Sequence, residues 1–126
     1  MIPKFRAYDG GSLSRMYQPE DVMVGNGNIW INDEDFDAGE WIVNNDLELM
    51  QSTGLCDKVG TEVFEGDVLH HQIQTEYTFI VKYDKDKGRW YGDGLSRTYR
   101  IDITKDFLQY YKVIGNIYEN PELLEK

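Results

Sequence analysis

Few residues in this chain have types and spacing suited to chemistry, and each has a competing structural use. Asp33-x-Asp35-x-Asp37 alternates carboxylates as a calcium loop does at its start, where several oxygens converge on one ion. Such a loop needs Gly at its sixth position and Glu at its twelfth, where this chain has Ala38 and Asn44, so a solvated acidic loop is expected. His70 and His71 are adjacent; on a strand their side chains leave by opposite faces and cannot chelate one ion together. No CxxC or HxxxH spacing supplies further ligands. Cys56 needs a neighbouring histidine to become a nucleophile, and it stands between Leu55 and a turn. Glu65-Gly66-Asp67 offers paired carboxylates, the raw material of general acid–base work. The same three residues also make a corner, with Gly at the bend and the acids accepting turn amides. No GxSxG, phosphate loop or dinucleotide fingerprint occurs. The expectation is a non-enzyme with no catalytic residue, metal or cofactor.

The stretch from Leu49 to Val68 that carries most of these groups reads as two tight corners in series. Asp57-Lys58-Val59-Gly60 is a four-residue turn, with Asp able to accept an amide two residues on and Gly free to take positive φ. Glu65-Gly66-Asp67 then turns the chain into Val68-Leu69. Gln51, Thr53, Gly54, Asp57, Gly60, Glu65, Gly66 and Asp67 are therefore assigned to backbone architecture.

Met50-Gln51-x-Thr53-Gly54-Leu55-x-Asp57-Lys58-x-Gly60-x-Glu62-x-Phe64-Glu65-Gly66-Asp67-Val68 resembles the centre of the YopX-like family of bacteriophage and prophage proteins. Two further pieces fit: the opening Lys4-Phe5-Arg6-Ala7-Tyr8-Asp9, and the close Val113-Ile114-Gly115-Asn116-Ile117-Tyr118-Glu119-Asn120-Pro121-Glu122-Leu123-Leu124. Gly115, Asn116, Asn120 and Pro121 join the architectural set on this ground. Cys56 and Val59 fall where the motif is open, and the segments from Gly25 to Asp46 and from His70 to Arg100 match least. The resemblance implies a phage context and a bacterial cytoplasm, and brings no activity with it.

At 126 residues the chain has the length of one domain, and nine Tyr, five Phe and three Trp offset an apolar fraction of 40%. Residues 1–50 hold ten acids and three bases, which is −7 of the net −10, and no basic residue lies between Arg15 and Lys58. A nucleic-acid binder needs the opposite, so direct binding to a phosphate backbone is not expected. A single cysteine forms no intrachain disulfide, and no apolar run approaches a membrane span. Cytoplasmic residence follows as the expectation, with no membrane contact.

Alternation and turn residues give a mainly β chain of meandering antiparallel strands, with α+β as the alternative. Residues 1–50 are expected to form an acidic β lobe, 51–118 a barrel-like core and 119–126 a terminal helical turn. Tyr77, Phe79, Val81 and Tyr83 fall on one side of a strand, as do Tyr99, Ile101 and Ile103 of another. Asp84-Lys-Asp-Lys-Gly88 reads as a hairpin loop. Short helical turns are expected after Pro19, over 104–111 and after Asn120. From Asp67 to Tyr118 the elements run strand, strand, hairpin, strand, strand, helical turn, strand, the order of a small SH3-like barrel.

Three functions of different class remain. The first is a non-catalytic module binding a host or phage protein, with Trp90 and Tyr91 as candidate anchors. The second is an acidic decoy that imitates nucleic acid and occupies a host DNA-binding protein. The third is an enzyme using Asp and Glu with a divalent ion. Exposed strand edges also suit a homo-oligomer.

Overall fold

The computed structural model describes residues 3–11, 14–33, 40–74, 77–95 and 99–124. Asp35, Asp37 and Ala38 of the acidic loop lie outside them. The chain is mostly β, with antiparallel sheets and very little helix. It divides into two compact units, Met1–Gln51 and Ser52–Lys126.

In the first unit, β1 (Phe5–Asp9) pairs with β2 (Arg15–Tyr17) and with the start of β6 (Glu48–Cys56). Pro19 opens a single 3-10 turn, Pro19–Asp21, as a fixed φ at a first helical position allows. A three-stranded meander follows: β3 (Val22–Gly25), β4 (Asn28–Asn32) and β5 (Trp41–Val43). Asn26 and Gly27 join β3 to β4 with φ of 53° and 76°, the two positive values that a tight hairpin turn requires. Register aligns Val22, Ile31 and Ile42. All three pack in a core with Ala7, Tyr17 and Leu47.

Asp33 corrects the sequence reading. Expected in a solvated loop, it is only 5% exposed. Arg15 Nη1 donates to Oδ1 at 2.9 Å and Oδ2 at 2.7 Å, and the Tyr17 hydroxyl donates to Oδ2 at 2.7 Å. The carboxylate is buried because β2 carries both donors to it, a long-range pairing that a local charge pattern does not encode. Burial, then Asp33, pushes the Tyr17 phenol up to about 12.

In the second unit, β6 continues to Cys56 and pairs with β7 (Glu62–Phe64) across an irregular register. β8 (Asp67–His71), β9 (Thr78–Asp84), β10 (Arg89–Gly94), β11 (Arg100–Asp102) and β12 (Tyr111–Asn116) form one antiparallel sheet in the order β11-β10-β9-β8-β12. The sheet curls into a half-barrel. A single helical turn, α1 (Lys105–Leu108), links β11 to β12, and Thr104 caps it by accepting the Phe107 amide at 3.1 Å. A 3-10 turn, Pro121–Leu124, follows β12.

The expected alternation on β9 is present: Phe79 and Val81 are buried between the less buried Thr78, Ile80 and Lys82. They enter a core with Val63, Leu69, Ile103, Leu108 and Tyr111, each large aliphatic contributing roughly 1.5–3 kcal/mol by burial. Gly92 faces Val81 across the ladder. A Cβ there would stand 3.0 Å from Phe79 Cβ, so its missing side chain lets β10 lie close over that ring. Among the described residues no helix is long and apolar enough to cross a membrane.

Candidate functional site

Many of the residues assigned to architecture take part in hydrogen bonds with the backbone. Gln51 is the last partner of β1, opposite Phe5. Thr53 donates its hydroxyl to the Val63 carbonyl at 2.8 Å and accepts the Leu55 amide at 3.1 Å. Gly54, Gly60 and Gly66 have φ of 78°, 89° and 85°, conformations that a side chain opposes. Asp57 accepts the amides of Val59 (3.0 Å), Thr61 (2.9 Å) and Val113 (2.8 Å). Beside the half-buried Glu65, the Gly66 amide reaches the Val81 carbonyl at 2.8 Å. Asp67, fully buried, accepts the Phe64 amide at 2.8 Å. Asn116 accepts the amides of Tyr118 and Glu119 at 3.0 and 2.8 Å, and Asn120 accepts that of Asn116 at 3.2 Å. Gly115 leaves room for Asn120, and Pro121 starts the last turn.

Apart from Gln51 these residues belong to the second unit, and none of them is among the described residues of its cleft. A cavity of about 640 Å³ opens on the same unit, lined by His71, Tyr77, Phe79, Tyr99, Ile101, Phe107, Tyr110 and Tyr111 among others. The residues are drawn from β8, β9, β11, α1 and β12 and from the segments joining them. Phe107 stacks on Tyr111 with centroids 4.2 Å apart and planes 19° off parallel. Phe79 meets both rings at 5.8 Å, edge-on, and Tyr99 is 5.9 Å from Phe79. His71 lies parallel to Tyr110 at 6.0 Å and edge-on to Tyr111 at 5.0 Å. Apart from the closer Phe107–Tyr111 stack, these separations fall in the favourable range for ring pairs.

Polar groups sit around this aromatic set. His71 Nδ1 accepts the amides of Ile73 (3.1 Å) and Gln74 (2.8 Å), so the neutral ring carries its proton on Nε2. Burial, then Tyr77 and Tyr99, pushes the Tyr111 phenol up to about 12; it remains a neutral hydroxyl. Asp102 and Asp106 are the acidic residues of the lining, and no Lys or Arg is among the described lining residues. Asp102 pairs with Arg89 at 3.0 Å, both well exposed. Tyr99 and Tyr110 keep about half their surface in solvent, 49% and 55%.

The two aromatics singled out in the sequence as anchors fall elsewhere on the sheet. Trp90 is half-buried against the core and meets Tyr83 edge-on at 4.8 Å. Tyr91, next on β10, carries the Arg100 guanidinium 3.9 Å above its ring. Neither residue lines the aromatic cleft. Cys56 is an exposed free thiol in a smaller hollow of about 510 Å³ with Lys58 and Lys105. His70 and His71 occupy successive positions on β8, opposite Lys112 and Tyr111. Among the described residues no three His, Cys, Asp or Glu gather to hold a metal ion. The aromatic cleft is hard to read from sequence because its residues are scattered from position 71 to 111. The one local signal is the in-phase pair of runs, Tyr77-Phe79 and Tyr99-Ile101.

The fold is thus a mostly antiparallel β protein whose second unit, a curled half-barrel, carries an aromatic cleft. The profile of the YopX protein family matches residues 4–125, and the chain belongs to that family. The crystal structure of protein EF1440 from Enterococcus faecalis is similar, with 30% identity, a TM-score of 0.71 and 99% of each chain covered. YopX from Bacillus subtilis shares the fold at 19% identity and a TM-score of 0.59, covering 98% of this chain and 96% of its own. No curated protein matches the chain.

Proposed function

We propose that this chain is a non-catalytic protein-binding module of phage or prophage origin, acting in the bacterial cytoplasm through the aromatic cleft. The observation that carries this reading is the combination of exposed Tyr99 and Tyr110 with the mutually packed rings of Phe79, Phe107 and Tyr111. Rigid aromatics present contact area at small entropic cost, which is why they dominate binding hot spots. An extended segment of a partner protein is the occupant that fits a cleft open along a curled sheet. Hydrogen exchange on the chain, alone and with a partner isolated from bacteria, tests this. Protection over 71–79 and 99–111 supports the reading; protection confined to other segments contradicts it.

A second reading draws on the −7 charge of residues 1–50, which suits an acidic mimic of nucleic acid. Such a complex would weaken steeply with salt and compete with DNA; salt-independent binding would remove it.

A further inference from the structure

We infer that the aromatic cleft takes an arginine side chain flanked by apolar residues, presented by an extended segment of the partner protein. This rests on the protein-binding reading above and specifies its chemistry. Three observations converge on a cation. The walls are the faces and edges of Tyr, Phe and His rings, whose quadrupoles attract positive charge on the face. The acidic residues of the described lining are Asp102 and Asp106, with no Lys or Arg among them; Asp102 stands opposite Tyr91 in the ladder, on the face of the sheet away from Ile101, which leaves Asp106 as the acid of the cleft. Asp102 already shares its charge with Arg89, whereas among the described residues no cation pairs with Asp106.

Arginine is favoured over lysine by the shape of the walls. A planar guanidinium stacks on a ring while its edge donates to a carboxylate, and it sheds water more readily than an ammonium. The protein uses the same contact within its own sheet, where Arg100 lies 3.9 Å over Tyr91. The apolar flanks follow from Ile101 and Phe107, which line the cleft with Asp106. A phosphate-bearing ligand would meet no Lys or Arg among the described lining residues and would face acidic groups, and is disfavoured.

The test is a titration of the full chain, followed by amide and aromatic NMR shifts, with the peptide acetyl-Gly-Leu-Arg-Leu-Gly-amide. Its citrulline counterpart keeps the shape and removes the charge. The inference expects shifts at Tyr99, Phe107 and Tyr110, and about tenfold weaker binding of the citrulline peptide. Asp106→Asn should weaken the arginine peptide severalfold and leave the citrulline peptide unchanged. Tyr110→Ala, an exposed site, should abolish the shifts with the fold retained.

Equal binding of the two peptides, shifts confined to other surfaces, or no shifts at all overturns the arginine assignment. The protein-binding reading fails separately, if partner protection lies away from 71–79 and 99–111. An uncharged anchor in the same cleft would overturn the arginine assignment and leave that reading standing.

Discussion

Asp57 Oδ2 accepts the Val113 amide at 2.8 Å, joining two residues 56 positions apart. The other oxygen holds Val59 and Thr61, and the Lys58 amide donates to the Tyr111 carbonyl at 3.0 Å. One buried carboxylate therefore closes the 57–60 turn and sutures it to the strand that carries Tyr111. A residue read in the sequence as accepting one turn amide is here a hub for three.

Asp57→Ala takes the acceptor from all three amides, of which Val113 is the least able to turn to water. The expected loss is about 2–4 kcal/mol of stability, with Asp57→Asn milder because one oxygen remains. Denaturant unfolding of both variants checks it. An alanine variant as stable as the parent would show that water replaces the carboxylate without penalty.

Gly115→Ala should destabilise by roughly 1–3 kcal/mol. Its Cβ would stand 2.5 Å from Asn120 Oδ1 and 2.8 Å from Leu123 Cδ1. In an Asn120→Gly background one of these obstacles is gone, so the same substitution should cost less. A double-mutant cycle measures that coupling; strict additivity would refute the steric account.

Stability should decline in alkali through Tyr17 and Tyr111. Both phenols are raised from 10.0 to about 12 in the folded chain, so the folded state binds protons more tightly than the unfolded one. Their contribution is complete below 10 and is lost as the pH climbs from there to about 12. Unfolding midpoints against pH, with Tyr17→Phe and Tyr111→Phe for comparison, check this. Each Phe variant should show a shallower decline, and unchanged declines would remove the phenols as its cause.

Arg15→Met should destabilise by roughly 1–3 kcal/mol by taking a hydrogen-bonded cation from the buried Asp33. Denaturant midpoints of the variant and the parent measure the loss, and equal midpoints would show that the pair contributes nothing. The sequence conceals this pair, because Asp33 reads locally as the first acid of a solvated run. Its partner is 18 residues away on β2, and only the fold brings them together.

Local signals are legible in the sequence. Alternation locates β9, Thr104 and Asn120-Pro121 announce helical turns, and the expected element order from Asp67 onward matches the order of elements along the chain. β7 carries no such signal, because Glu62–Phe64 is three residues long between two turns. The extension of β6 to Cys56 is hidden by Ser52-Thr53-Gly54, which has turn composition. There Ser52 accepts the Gly54 amide at 3.0 Å, so a turn-like hydrogen bond is built into an irregular strand. The cleft depends on long-range pairing: His71 faces Tyr111 across the β8–β12 ladder, and α1 supplies Phe107. Trp90 and Tyr91 stand out as a pair of large neighbouring aromatics, but alternation sends them to opposite faces of β10.

The most direct measurement compares recovery of a bacterial partner by the parent chain, Tyr110→Ala and Tyr91→Ala, each first shown to melt like the parent. Tyr110 is 55% exposed, and its truncation should change stability by no more than about 0.5 kcal/mol. Binding through the aromatic cleft predicts that Tyr110→Ala loses the partner while Tyr91→Ala keeps it. Retention by Tyr110→Ala together with loss by Tyr91→Ala would contradict it and move the docking surface away from the cleft, to the surface around Tyr91.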